Sequence, residues 1–225
     1  MERMKESRFL YENVEFIFQH LENDHVAKNW NRGTFYETQL LELIRDKELK
    51  GTYVDVGSHQ GNHTVYFSKV CNAEKVVAVE GSPYNFSFLE SNLILNNCSN
   101  VLAHNLIASN ENDVEMELFF NPMNTGNTSA YDFSDSIEKV SNKTITLDDL
   151  LVGEKVSLIK LDIQDMEWFA LDGCRNIIKK NKPMLIIEWN ETNQHTSLIN
   201  QLLQEYGYNL SQTLYVPSLV HIYEA

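Results

Sequence analysis

Positive charge is scarce in this sequence: its 225 residues carry 18 Lys and Arg against 32 Asp and Glu, a formal net charge of −14. A protein that grips RNA or DNA gains most of its affinity by neutralising phosphates with Lys and Arg, so this balance argues against a nucleic acid or any other polyanion as substrate. Acidity that merely keeps a protein soluble is the plainer account of the same number. Cysteine is sparse as well. Cys71, Cys98 and Cys174 are an odd count with neither CxxC spacing nor a neighbouring His cluster, which argues against a disulfide framework and a structural zinc and leaves buried free thiols. Long apolar runs are missing: no stretch nears the roughly 18 uninterrupted apolar residues of a membrane-spanning helix. The charged start, Met1 to Glu6, is followed by no apolar core. A secretory signal and membrane insertion are therefore not expected, and the protein is placed in the cytoplasm. Asn-x-Ser/Thr triplets such as Asn85-Phe86-Ser87 carry no weight in an Asn-rich chain without a signal peptide.

What the chain does have is a rhythm. From about Glu12 to Leu49 helical periodicity alternates with short polar breaks, and Leu40-Leu41-x-Leu43-Ile44 reads as the buried face of a helix ending near Lys50-Gly51. Residues 1–50 are expected to form an N-terminal helical extension or cap, and 51–225 the main domain. Tyr53 to Val56, Val76 to Val79, Val101 to Ala103, Leu158 to Leu161 and Met184 to Ile187 are short, continuous apolar runs rich in β-branched residues, the pattern of strands buried on both faces. Amphipathic stretches lie between them, at Thr64 to Cys71, Tyr84 to Asn97, Trp168 to Asn181 and Thr196 to Tyr206. Strands alternating with helices predict right-handed crossovers and a doubly wound, mostly parallel α/β sheet. Glu115 to Tyr131 breaks the pattern and reads as an edge hairpin or a loop over the site. The closing segments around Leu210 and Leu219 to Tyr223 suit the antiparallel end of a mixed sheet.

One constellation carries the chemistry. Asp55-Val56-Gly57-Ser58-His59-Gln60-Gly61-Asn62 is a strand end, a glycine turn and a helix start. Gly57 lets the backbone turn sharply beside a ligand, Gly61 lets the helix begin close to the strand, and free amides there would meet a cofactor carboxylate. A dinucleotide site would need Gly-x-Gly-x-x-Gly, and residue 59 is His, so a nicotinamide enzyme is disfavoured. The second strand ends in Glu80-Gly81-Ser82, placing a carboxylate where it can accept from both hydroxyls of a ribose. The fourth and fifth strands end in Asp162 and Glu188. Two acids on adjacent strand ends are an acid/base pair or, if a divalent metal is present, its ligands.

These residues resemble the FkbM-type methyltransferases. The likeness runs from about Phe35 to Asn190 and rests on Val54-Asp55-Val56-Gly57 with Gly61 and Thr64, Val79-Glu80, Asn85-Phe86-x-x-Leu89, Asn92-Leu93-x-Leu95-Asn96, Thr146-Leu147-Asp148-Asp149-Leu150-Leu151, Ile159-Lys160-Leu161-Asp162 and Ile187-Glu188. It implies a class I, Rossmann-like methyltransferase with a seven-stranded sheet whose last strand is antiparallel. It also implies S-adenosylmethionine as donor, over residues 51–225, and most often a hydroxyl of a sugar or natural product as acceptor. One departure stands out. The family follows the fourth-strand Asp with x-Glu-Gly-x-Glu, whereas this chain reads Asp162-Ile163-Gln164-Asp165-Met166-Glu167. Gln164 replaces an acid, which weakens any metal site that needs an anion there.

The resulting assignments are Asp162 as first candidate base, Glu188 as second, and Lys160 as a group that tunes one of them. Asp55, Gly57, Ser58, His59, Gln60, Gly61, Asn62, Glu80, Gly81, Ser82 and Asp162 are expected around the cofactor, and Tyr36, Asn127, Gln164, Glu167, Trp168 and Glu188 around the acceptor. His59 and His63 titrate in the right range, but packing is the plainer role for a lone histidine. The leading expectation is O-methylation of a glycan or glycosylated natural product, with oligomeric state left open. The alternatives are N-methylation of a protein side-chain amide and a catalytically inactive cofactor-binding module.

Overall fold

A computed structural model describes residues 4–22, 24–71, 73–121, 124–131, 138–189, 194–216 and 218–225. The chain opens with β1 (Met4–Tyr11), β2 (Val14–Leu21), α1 (Ala27–Trp30) and α2 (Thr38–Asp46). Strands and helices then alternate: β3 (Thr52–Val56), α3 (Asn62–Lys69), β4 (Lys75–Val79), α4 (Pro83–Leu95) and β5 (Val101–His104). After β6 (Ile107–Ala108), β7 (Glu115–Asn121), β8 (Asn124–Ser129) and β9 (Glu138–Ile145) come α5 (Leu147–Leu150), β10 (Val156–Leu161), α6 (Glu167–Asp172), α7 (Arg175–Asn181) and β11 (Met184–Glu188). The chain closes with α8 (Thr196–Glu205), β12 (Asn209–Tyr215) and β13 (Leu219–Glu224).

Seven strands form the central sheet in the order β12-β13-β11-β10-β3-β4-β5. β10, β11, β3, β4 and β5 pair in parallel, and β13 runs antiparallel to both β11 and β12. The continuous apolar runs have a simple cause. Alternate residues of one strand point to opposite faces, and both faces are covered. Val54, Val56, Ile159 and Leu161 join the core on one side, while Tyr53, Val76, Leu158 and Ile186 join the core on the other. From the central pair β3 and β10 the order runs outward in opposite directions, so the carboxyl ends of these two strands frame a crevice.

Three features differ from the sequence-based expectation. The N-terminal extension is not helical throughout: residues 4–21 form the β1–β2 hairpin. The outer edge of β2 is paired by side chains rather than by a strand. Asn92 on α4 and Asn96 at its C-cap each accept from a main-chain amide of β2 and donate to its carbonyl, at Gln19 and Ile17 respectively. A side-chain amide offers the same donor and acceptor pair as a peptide, so the two asparagines stand in for a neighbouring strand. The hairpin's inner face, with Phe9, Phe16 and Phe18, packs on Trp30, Phe35 and Tyr66.

Second, the helix expected over Trp168 to Asn181 is two helices, α6 and α7, divided at Gly173. A Cβ at Gly173 would lie 2.0 Å from the carbonyl oxygen of Ser109, so the close approach of that segment requires glycine. Third, Glu115 to Ser129 does form a hairpin, and it belongs to a second, four-stranded sheet of order β6-β9-β7-β8. β9 carries too few apolar residues to announce itself.

The three cysteines are free thiols, Cys98 and Cys174 buried and Cys71 half-buried. Among the described residues no helix is long and apolar enough to cross a membrane.

Candidate functional site

The glycine turn leaves β3 at Gly57, whose φ is +78°. A Cβ there would lie 1.9 Å from the carbonyl oxygen of Asp162, so glycine is demanded by the neighbouring strand end as much as by any ligand. The turn's amides are largely engaged within the protein, contrary to the expectation of free donors. Gly57 and Ser58 donate to the carbonyl of Val79, His59 donates to Glu80 at 2.8 Å, and Gly61 donates to the carbonyl of Ser58. The anion those amides meet is the protein's own Glu80. Its second carboxylate oxygen accepts from the amide of Ser82 at 2.9 Å. Burial raises the Glu80 pKa, opposed by nearby His59 and by these two amides. A carboxylate offers about four lone-pair positions; besides these two amides the side-chain amide of Asn85 donates to Oε1 at 3.5 Å, which leaves about one position for a ligand.

A second carboxylate cluster forms where β3, β10 and β11 end. Asp55 is fully buried and accepts from the hydroxyl of Thr64 at 2.5 Å. The ammonium of Lys160, itself buried, lies 3.3 Å from Asp55 and 3.6 Å from Asp162. Burial alone would lower the Lys160 pKa, but Asp55, Asp162, Glu37 and Glu188 together outweigh it and raise it. Asp162 also accepts from the side chain of Gln164 at 3.2 Å. The Glu188 carboxyl, at the end of β11, is pushed up to about 8 by burial and then by Asp162 and Glu37. Glu37 is pushed up to about 8 by burial first and by Asp162 second.

Both clusters open onto one cavity of about 180 Å³. Of the residues expected around a cofactor, Gly57, Ser58, His59, Asn62, Glu80, Gly81 and Asp162 border it. Asp55, Gln60, Gly61 and Ser82 do not, and each has another task. Asp55 anchors Lys160, and Gly61 starts α3 with a φ of +96°. Gln60 is fully buried and holds Asp24 through its side chain and Asn92 through its carbonyl. Ser82 caps α4 ahead of Pro83. Asn62, though on the wall, directs its side-chain amide to the main chain of Tyr36 and to the Trp30 indole, and so fixes the cavity's edge.

Of the residues expected around an acceptor, Tyr36, Gln164 and Glu188 border the cavity, whereas Glu167 and Trp168 stand back from it. Glu167 is buried, accepts from the amide of Ile163 and is pushed up to about 8 by desolvation. Trp168 packs beneath the guanidinium of Arg175. The side chain of Asn127 lies outside the described residues. Its strand is nevertheless well placed: Gly126 and Thr128, with Ala130 just beyond the strand, line the cavity, and the Ser129 hydroxyl donates to the carbonyl of Gln164. Two contributors escaped the sequence. Asp24 reaches the cavity from the segment after the hairpin. Glu37 lies 3.1 Å from His63, an acid ahead of a helix that reads from sequence as nothing more than a helix start.

The matches to known proteins agree with this geometry. Residues 55–210 match the model of the methyltransferase FkbM domain. The chain belongs to the methyltransferase FkbM family. It is 29% identical over 143 residues to "Methyltransferase 1" of Beauveria bassiana, a match covering 53% of this chain and 57% of that protein. The crystal structure of methyltransferase FkbM from Methylobacillus flagellatus KT superposes with a TM-score of 0.59 at 20% identity, over 79% of this chain and 44% of that one. Pyrococcus horikoshii TYW2, in complex with MeSAdo, gives a TM-score of 0.51 at 15% identity over 100% of this chain and 70% of its own. The two structures share the class I methyltransferase fold with this chain, which spans little more than half the length of the Beauveria bassiana protein.

Among the described residues no group of three or more His, Cys, Asp or Glu side chains is arranged to hold a metal ion. The positive charge between Asp55 and Asp162 is that of Lys160.

Proposed function

We propose that the protein transfers the methyl group of S-adenosylmethionine to a hydroxyl of a sugar, on a glycan or a glycosylated natural product. One observation carries this reading: Glu80 and Glu188, from the ends of β4 and β11, open onto the same cavity. The residues fit the donor. The cavity-facing side of Glu80 suits a ribose hydroxyl, and Val79, Ile107 and Leu118 form an apolar wall for a purine. Bound there, S-adenosylmethionine supplies a methyl group on an already activated sulfonium leaving group. The protein's own task is then to align the acceptor, exclude water and receive one proton.

Glu188 suits the base role better than Asp162. Both oxygens of Asp162 have protein neighbours, Gln164 at 3.2 Å and Lys160 at 3.6 Å. Glu188 has a proton affinity close to the working range of an enzyme, where general-base catalysis is most effective. Gly126 and Thr128 of β8 border the same cavity. Among the described residues lining the cavity, Lys160 is the one Lys or Arg, and it is engaged with carboxylates. The acceptor side therefore suits a neutral polyol and repels phosphates and carboxylates.

Incubation with methyl-labelled donor and either neutral glycans or a protein extract tests the assignment. Label in the glycan as a methyl ether is the expected outcome. Label in side-chain amides would transfer the reading to nitrogen. Donor binding with no demethylated product from any acceptor would leave a binding module.

A further inference from the structure

Among the described residues, the carboxyl groups that border the cavity are those of Asp24, Glu80, Asp162 and Glu188. Glu80 is assigned to the ribose and Glu188 to the acceptor, and Asp162 is engaged by Gln164 and Lys160. Asp24 is left without a task.

The fold holds Asp24 from three sides. Its main-chain amide donates to the carbonyl of Leu21, the last residue of β2. Oδ1 accepts from the amide of Ala27 at the start of α1, and Oδ2 from the side-chain amide of Gln60, both at 2.9 Å. Gln60 belongs to the glycine turn, and the Asn92 side chain donates both to its carbonyl and to that of Gln19 in β2. Hairpin, turn and Asp24 are therefore one hydrogen-bonded unit, and the carboxylate is set in place before any ligand arrives.

This carboxylate is 7% exposed. Burying one is costly unless a cation stands beside it, and among the described residues no Lys or Arg pairs with Asp24. The His59 ring is its ion-pair neighbour, with Nε2 at 4.0 Å from Oδ2, beyond hydrogen-bond reach. Two accepted N–H bonds leave about two lone-pair positions open. His59 also donates its main-chain amide to Glu80, so Asp24 and the ribose carboxylate stand on either side of one residue.

Beyond its ribose and sulfonium, S-adenosylmethionine ends in an amino acid with one carboxylate and one ammonium. The turn amides that would meet the carboxylate are largely taken, by Val79, Glu80 and Ser58. An ammonium finds the opposite: a buried carboxylate with open lone pairs and no lysine or arginine of its own, the setting for a charge-assisted hydrogen bond. We propose that Asp24 receives the ammonium of the donor's amino-acid end. The segment behind the hairpin, outside the family match over residues 55–210, is then a wall of the donor site. The inference rests on S-adenosylmethionine as donor and is independent of the acceptor.

Calorimetric titration of the intact protein with three nucleosides tests this: S-adenosylhomocysteine, its deaminated analogue, and methylthioadenosine, which lacks the whole amino acid. In Asp24→Asn the contact of Oδ1 with Ala27 is kept, and the new side-chain amide faces Gln60. The Oε1 of Gln60 is buried without a hydrogen-bond partner, so a half-turn of that amide lets it accept from the variant side chain, and the variant should fold. It should bind S-adenosylhomocysteine about ten- to a hundredfold more weakly, the range for a hydrogen bond to a charged group. The deaminated analogue and methylthioadenosine should bind to the variant as they do to the wild type. Unchanged affinity for S-adenosylhomocysteine overturns the proposal. So does an equal loss for all three nucleosides, which would make Asp24 a shaper of the cavity and no reader of the ammonium. A wild type that binds none of the three would remove the donor itself, and this inference with it.

Discussion

At one end of the cavity a buried carboxylate, Glu80, accepts from two main-chain amides; at the other, Asp162, Glu188 and Glu37 gather near a single ammonium. The first arrangement is set by backbone geometry, because the amides belong to turns that the fold positions. The second is set by protonation, because its carboxyls depend on one another and on Lys160. A site divided in this way has one rigid end and one end that responds to pH.

Removing the backbone constraint tests the rigid end most severely. In Gly57→Ala the methyl group would overlap the Asp162 carbonyl and demand a left-handed alanine, so a loss of about 4 kcal/mol or more is expected in chemical denaturation. Near-wild-type stability would show that the turn is not held as described. Lys160→Met strikes the other end by stranding Asp55. The Thr64 hydroxyl still serves that carboxylate, so the cost should be about 3 kcal/mol, the lower part of the range for breaking a buried pair. Equal stability would mean that the lysine is dispensable.

The pH dependence of stability separates the two ends more gently. Glu37 and Glu188 are pushed from 4.5 up to about 8 in the folded state. Between those values the folded chain binds protons that the unfolded chain has released, so their contribution to stability is full below about pH 4.5 and is lost as pH rises through about 8. Thermal melts should show this decline, and Glu37→Gln should flatten it; an identical slope in the variant would remove Glu37 from the titrating group. The smallest effect is expected at Asp165, which stands where the family has glycine and has a φ of 76°. Asp165→Gly should stabilise by about 0.5 kcal/mol, a relief of left-handed strain partly offset by glycine's larger unfolded-state entropy.

The central sheet was legible because burial on both faces writes continuous apolar runs such as Val76 to Val79, and Asp55, Gly57 and Glu80 stand at its edge in a recognisable order. The hairpin was not, because β2 is completed by Asn92 and Asn96 from a helix distant in sequence, and no local pattern records such pairing. The break at Gly173 depends on a carbonyl at Ser109, again a long-range contact. Within the site, strand ends predicted the wall residues Glu80, Asp162 and Glu188. The tasks of Gln60 and Ser82 went unread because a turn's sequence does not show which way its side chains face. Glu37 was missed for a different reason: its importance comes from His63 and Ser218, and both meet it only in the folded chain.

The division of labour is tested most directly by calorimetric titration of S-adenosylhomocysteine into wild type, Glu80→Ala and Glu188→Gln, with turnover measured alongside. The account predicts that Glu80→Ala weakens binding by about 1–3 kcal/mol, the loss of hydrogen bonds to a charged group. Glu188→Gln should leave binding unchanged and slow turnover by roughly 10²–10⁴. No binding by the wild type, or equal loss of affinity in both variants, would contradict it.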